Sequence, residues 1–299
     1  MEIQNLPYIV SCESTADLSE AVFAERNIPF ACFTFHMDGQ DYADDYGKSM
    51  PVKEFYGRMA AGSVSTTSQV SVGAYEALWT PYLAAGKDIL HLTLSSGISG
   101  TYNSACLAAE NLRAKYPERK LYVIDSLNAS AGFGLLVMLA ADRRDAGLSV
   151  DELNQWVLAN RDKINAWFYT GDLTYLCRGG RISKTACIFG TALKICPLLR
   201  VNQEGKLVPF AKCRGKKRAR EAVAERVLSC AENGKNYDGE LYISQSDCMD
   251  EAEAAAELIE AAVPALRGKI KFYNIGTVIG SHTGPGMVAV FFFGKEKDA

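Results

Sequence analysis

The chain has 299 residues, 48% of them apolar and 22% charged, with a formal net charge of −3. That length suits one large domain or two of ordinary size with a real core, and that charge excludes a molecule that binds polyanions with its whole surface. No apolar run reaches the length of a bilayer span, and MEIQNLPYIV lacks a basic stretch followed by an apolar core, so the expectation is a cytoplasmic protein without stable membrane insertion.

In chain order, PYIVSC reads as a strand and STADLSEAVFAERN as a capped helix after it. IPFACFTFHM reads as another strand, PVKEFYGRMAAG and VGAYEALWTPYLAAG as helices, and DILHLTL as a buried strand. TYNSACLAAENLRAKY is a helix and KLYVIDS a strand; GFGLLVMLAADRRDAG and SVDELNQWVLANRDK follow as helices. Strands alternating with helices predict a parallel sheet covered on both faces. After residue 163 the pattern changes. NAWFYTGD is a strand, PLLRVNQEGKLVPFAKC a hairpin turning at Asn202–Gly205, and KKRAREAVAERVLSCAEN a helix. GELYISQS, KIKFYNI and GMVAVFFFG are strands around a helix at MDEAEAAAELIEAAVPALRG. The expected organisation is a parallel α/β lobe over 1–163 and an α+β mixed-sheet lobe over 164–299, with a ligand at their interface.

Nine cysteines, an odd number with no CxxC pair, argue against a disulfide framework or a zinc site and for small reduced residues. Three histidines, His36, His91 and His282, leave no room for a multi-histidine metal centre.

Five stretches carry polar chemistry. SSGISGT, residues 95–101, sits between a strand and a helix. A helix N-terminus there offers unpaired N–H groups, and Ser95, Ser96, Ser99 and Thr101 add hydroxyls, a combination suited to an anion. A tight capped turn holding nothing is the alternative. VSTTSQVS, residues 64–71, has the same character: Thr66, Thr67, Ser68 and Gln69 are further donors, or an N-cap cluster ahead of Ser71. In LTYLCRGGRIS, Arg178 and Arg181 flank a Gly-Gly turn and could fork onto a carboxylate or phosphate, or be solvated surface charges. His282 lies in GSHTGPG, a stretch too rich in Gly and Pro to read as regular. KCRGKKRAR places Lys212, Arg214, Lys216, Lys217, Arg218 and Arg220 in one basic cluster, a docking surface or a solvated helix face.

Familiar signatures fail. No GxGxxG follows the first strand and no HExxH or GxSxG occurs; Gly47-Lys48-Ser49 ends like a P-loop, but Tyr42 stands where its first glycine belongs.

Taken in order, ESTADL, TTSQVS, SSGISGTYNSA, VIDSLNASAGFG, LTYLCRGGRIS, LLRV and HTGPG resemble the DegV family of bacterial fatty-acid-binding proteins along nearly the whole chain. The resemblance implies two α/β lobes (the DegV-like, EDD fold), the first Rossmann-like, the second a mixed sheet. It implies a long-chain fatty acid as ligand, with no other cofactor. It further implies a carrier that presents the acid to a separate ATP-using fatty acid kinase and then takes the acyl phosphate onward to phospholipid metabolism. By this likeness Thr67 and Ser96 lie in the regions that hold the carboxylate and His282 lies near the head group; Thr66, Ser68 and Ser95, from the hydroxyl-rich stretches themselves, complete the expected carboxylate-binding set. Arg178 and Arg181 lie at the head group or face the partner, and Lys212, Arg214, Lys216 and Lys217 dock it. The chain departs from the family at Cys12 and Glu13, where TDST reads CEST, and at Val70, where TSQP reads TSQV. The expectation is a monomeric carrier, with neither metal nor nucleic acid, and no enzyme by itself. The alternative is a serine hydrolase acting on acyl esters through Ser68 or Ser96 with His282. Acyl-chain walls are sought in GFGLLVMLAA and IFGTALKI.

Overall fold

The structure is a computed structural model; it describes residues 6–189 and 195–298, and of residues 188 and 189 the backbone only. The first half runs β1 (Ile9–Glu13), α1 (Glu20–Glu25), β2 (Phe30–Ala31), β3 (Thr34–Met37), β4 (Gln40–Ala43), α2 (Val52–Ala60) and β5 (Ser65–Ser68). It continues through α3 (Val72–Ala84), β6 (Ile89–Thr93), α4 (Thr101–Lys115), β7 (Leu121–Asp125), α5 (Ser130–Asp145) and α6 (Val150–Asn160). The second half runs β8 (Ile164–Tyr169), α7 (Thr174–Arg178), α8 (Lys184–Phe189), β9 (Ile195–Val201), β10 (Leu207–Arg214) and α9 (Gly215–Cys230). It ends with β11 (Leu241–Gln245), α10 (Met249–Ala262), β12 (Lys271–Asn274), α11 (Thr277–Thr283) and β13 (Val288–Phe293).

Strands β2-β1-β6-β7 form a parallel sheet. IVSCE and ILHLT are buried at every position, as strands covered on both faces must be. Helix starts follow their caps: Ser19 accepts from the Val22 amide, Ser71 from Ala74, and Ser149 with Glu152 closes a reciprocal capping box.

The second sheet has the order β10-β9-β8-β13-β11-β12, antiparallel except for the β11–β12 pair. Alternation along β13 assigns its faces. Val288, Val290 and Phe292 meet α9 and α10 through Val223, Val227 and Ile259, while Ala289 and Phe291 turn towards the first half. There α5 lies against the sheet at Gly132, where a Cβ would stand 2.4 Å from the Phe291 ring.

A third sheet was not foreseen. IPFACFTFHM, expected as one strand, divides: Phe30–Ala31 pairs with β1, whereas Thr34–Met37 pairs with β4 and β5 in the antiparallel order β4-β3-β5. Between them the Phe33 amide leaves both ladders and donates to Ser14 Oγ at 3.1 Å. Helix α11, late in the chain, packs on β5, β3 and α2, with Val278 in the first half's core. The halves are thus interlocked by α5 on one side and α11 on the other.

Candidate functional site

Between the halves lies a cleft of about 930 Å³, its open mouth included. Phe168, Val201, Leu207, Ala289 and Phe291 of the second sheet form one wall. Phe33, Leu94 and Ile98 come from the first half, and Ile275, Val278 and Ile279 from α11 and its approach. Among the described lining residues, Arg181 is the one permanent cation and no carboxylate is present. The cleft is therefore apolar over most of its wall and positive at one place.

His282 stands beside that charge. GSHTGPG does not make the irregular stretch expected of it: residues 277–283 are helical, and Gly284, at φ +69°, ends the helix just past His282. At the other end of α11, Asp44 Oδ1 accepts from the Thr277 amide at 3.2 Å and its hydroxyl at 2.7 Å. His282 Nε2 lies 2.8 Å from Thr67 Oγ1. Burial, then the positive charge of Arg181, push His282 down to about 4, so the ring is neutral near pH 7. Its Nδ1 is buried without a hydrogen-bond partner and faces Gly179, where a Cβ would sit 2.3 Å away. A buried orphan N–H is rarer than an orphan acceptor, so we assign the ring proton to Nε2. Nε2–H then donates to Thr67, whose own proton can point into the cleft. Arg181 is held by its Nε–H donating to the Ile98 carbonyl at 3.2 Å; burial lowers its pKa without neutralising it.

The hydroxyls expected to act together are separated. VSTTSQVS, read as a turn, contains strand β5, in register with β3 as Thr66↔His36, Thr67↔Phe35 and Ser68↔Thr34. The two-residue period sends Thr67 towards the cleft and leaves Thr66 and Ser68 exposed, outside the cleft lining. In SSGISGT, Ser95 is fully buried and committed to the fold. Its Oγ donates to the Gly205 carbonyl at 2.8 Å and accepts from the Gly97 amide at 3.1 Å. Gly205 has φ +68°, and a Cβ there would stand 1.9 Å from Ser95 Oγ. Ser96, matched to a carboxylate-binding serine, is exposed, its amide donating to Asp125 Oδ1 at 3.1 Å. Ser99 and Gly100 of this turn line the cleft instead, with Gln69 from the other stretch.

Glu13, the departure from the family's aspartate, is fully buried. It accepts from the Leu94 amide at 2.8 Å, from Thr101 Oγ1 at 3.1 Å and from the Tyr75 hydroxyl. The longer arm thus reaches both ends of the 95–101 turn. Ser130 and Thr283, inside the VIDSLNASAGFG and HTGPG stretches but not singled out there, also line the cleft.

Arg178 and Arg181 part company across the Gly-Gly turn: Arg181 faces the cleft, while Arg178 is exposed, its guanidinium 5.6 Å from the Tyr175 ring centre. Lys212, Arg214, Lys216 and Lys217 are all exposed, at the end of the second sheet where β8 runs on into α7. Helix α9 itself covers the face of that sheet turned away from the cleft. Of GFGLLVMLAA, nothing lines the cleft; α5 contributes only its first residue, Ser130. Of IFGTALKI, only Ile195 has its side chain among the described residues.

Most of the cysteines are free thiols, as expected, with one pair as the exception. Cys177 and Cys187 are joined by a disulfide, their Cα atoms 5.7 Å apart; the other seven cysteines are free. Ser68 and Ser96, the hydrolase candidates, are exposed, and the hydroxyl that meets His282 belongs to Thr67. Among the described residues no group of three or more His, Cys, Asp or Glu could hold a metal, and no helix is long and apolar enough to cross a membrane.

These features define a two-lobed α/β protein with an apolar interlobe cleft and one cationic end. The family model described as "Uncharacterised protein, DegV family" matches residues 9–295, and the chain belongs to the DegV family. A DegV domain-containing protein of Clostridium perfringens is 36% identical over 291 residues, 97% of this chain and 99% of its own. Solved structures agree. The structure reporting fatty acid binding of a DegV family protein from Thermus thermophilus aligns with a TM-score of 0.85 and 25% identity, over 97% of this chain and 100% of its own. A fatty acid binding DegV family protein from Streptococcus agalactiae gives 0.83 and 27%, again over 97% and 100%. DegV from Bacillus subtilis, described as a fatty acid binding protein, gives 0.81 and 26%, with the same coverage.

Proposed function

We propose that this protein binds one long-chain fatty acid in the interlobe cleft and presents its carboxylate to a separate kinase. The observation that carries the reading is the cleft itself: an apolar wall with Arg181, Thr67 and neutral His282 gathered at one place. The fatty acid binding described for the solved relatives supports it.

The energetics have two parts. Roughly fifteen methylenes at about 0.8 kcal/mol each give about 12 kcal/mol of gross burial, reduced by ordering the chain and the protein. A carboxylate buried without partners would cancel much of this. Arg181 offsets its charge, and the Thr67 hydroxyl, backed by His282 Nε2–H, supplies a directed hydrogen bond.

The protein acts as a carrier and co-substrate in this reading. The kinase moves the phosphoryl group from ATP to the carboxylate, and the carrier takes the acyl phosphate onward. Arg178, exposed beside the turn that bears Arg181, and the cluster of Lys212, Arg214, Lys216 and Lys217 meet the kinase. Native mass spectrometry followed by denaturing lipid extraction tests the first half of the reading. A stoichiometric long-chain fatty acid is expected; protein that is empty and takes up no added fatty acid would overturn it. Acyl phosphate formation with a fatty acid kinase catalytic subunit tests the second half. Lys216→Glu with Lys217→Glu should lower it, and an unchanged rate would remove the cluster from docking.

A further inference from the structure

We propose that Cys177 and Cys187 are a reversible dithiol–disulfide site whose bonded state fastens the Arg181 turn against the cleft. Cys177 belongs to α7 and Cys187 to α8, so the bond closes the short segment between the two helices. That segment holds what the cleft's polar end depends on. Arg181 supplies the lining cation, and Gly179 touches His282 at the ring nitrogen that has no other partner. Leu176, next to Cys177, lines the cleft as well.

Both sulfurs belong to partly exposed residues packed at the margin of the core, whereas Cys12, Cys196 and Cys213 are buried. Without the bond, the turn is anchored by the Arg181 amide on the Leu176 carbonyl, by the Ile182 and Ala186 side chains in the core, and by Arg181 on Ile98. With it, the turn becomes a closed ring with far fewer open conformations.

The reagent class is a low-molecular-weight disulfide. One cysteine, as thiolate, attacks it and expels one small thiol, leaving a mixed disulfide. The second cysteine attacks the protein sulfur of that intermediate, forming the Cys177–Cys187 bond and expelling a second small thiol. Two protein thiols are oxidised and one small disulfide is reduced to two thiols; excess small thiol reverses the sequence. In a reducing compartment a pair of this kind acts as a sensor rather than a permanent staple.

The effect on a bound fatty acid rests on the function proposed above; the effect on the turn does not. Wild-type protein is equilibrated across ratios of oxidised to reduced glutathione, and its thiols are counted after denaturation. Nine cysteines less the bonded pair give seven free thiols in the oxidised form and nine in the reduced form. Amide hydrogen exchange over 178–186 and the release rate of a fluorescent long-chain fatty acid are then read in both forms. Reduction should speed both severalfold, and Cys177→Ser and Cys187→Ser should each show the faster values at every glutathione ratio. Nine thiols at every ratio, or exchange in 178–186 that is the same in both forms, would overturn the proposal. Faster exchange with equal fatty acid release would overturn its link to the ligand. If no fatty acid binds in either form, the function fails while hydrogen exchange still decides the redox site.

Discussion

Residues 65–68 and 95–101 are both rich in serine and threonine, yet they serve opposite ends. In β5 the strand period turns a single hydroxyl, Thr67, to the cleft, where it meets His282, and leaves Thr66 and Ser68 in solvent. In the 95–101 turn the buried hydroxyls serve the fold: Ser95 ties the turn to the β9–β10 hairpin at Gly205, and Thr101 donates to Glu13. The first stretch presents its hydroxyl to the cleft, and the second uses its hydroxyls for shape. Arg181 joins them, since it bonds to Ile98 of the turn and shares the cleft's polar end with Thr67. Composition alone says that hydroxyls are present; backbone geometry decides which of them are available.

The contrast can be tested, beginning with the residue that bridges both regions. Arg181→Met should weaken fatty acid binding by about 3 kcal/mol, roughly a hundredfold, because it removes a partly buried charge partner; titration calorimetry reads this directly. Acidification should strike the binding side next. His282 is depressed in the folded protein to about 4, from an ordinary value of 6.5. The unfolded chain therefore takes up its proton first. Stability from this group is complete above about pH 6.5, falls as pH drops, and levels off below about 4, with a loss of about 3 kcal/mol. Urea unfolding across that range should show His282→Gln losing this part of the slope.

On the structural side, Ser95→Ala should cost about 1–3 kcal/mol of stability by leaving the Gly205 carbonyl and the Gly97 amide short of a partner. Fatty acid affinity should stay within about twofold, a ratio well below the tenfold that 1.4 kcal/mol represents. Thr67→Val should do the reverse, lowering affinity by roughly tenfold, about 1.4 kcal/mol, with a smaller effect on stability. A large loss of binding in Ser95→Ala, or none in Thr67→Val, would erase the distinction. Smallest of all, Ser96→Ala, Thr66→Ala and Ser68→Ala should each stay within about 0.5 kcal/mol in both assays.

Much of the architecture could be read from residue patterns. Strand–helix alternation announced the parallel sheet, and the hairpin at Asn202–Gly205 appears as read, the Gly205 amide donating to the Asn202 carbonyl at 3.0 Å. What escaped has physical reasons. STTS carries no apolar alternation, so only its pairing with β3 makes it a strand. IPFACFTFHM is apolar throughout, and nothing local tells that Phe33 steps between two sheets. His282 sits among glycines that end a helix rather than prevent one. Cys177 and Cys187 are ten residues apart, and only the α7–α8 fold brings them into bonding range. Within the site, His282 and Arg181 were legible as residues. That Arg181 rather than Arg178 turns inward depends on the Gly-Gly turn between them, where Gly180 adopts φ +68°.

Thr67 and His282, the pair at the centre of the polar end, stand 215 residues apart in the chain. A ribosome adding about 5–20 residues per second makes the second roughly 10–40 s after the first. Throughout that interval the nascent first half has its β5 edge without α11 to cover it and its Thr67 without a histidine. The polar end of the cleft is therefore assembled only after the second half has been made, and under the function proposed above a fatty acid would load after that point.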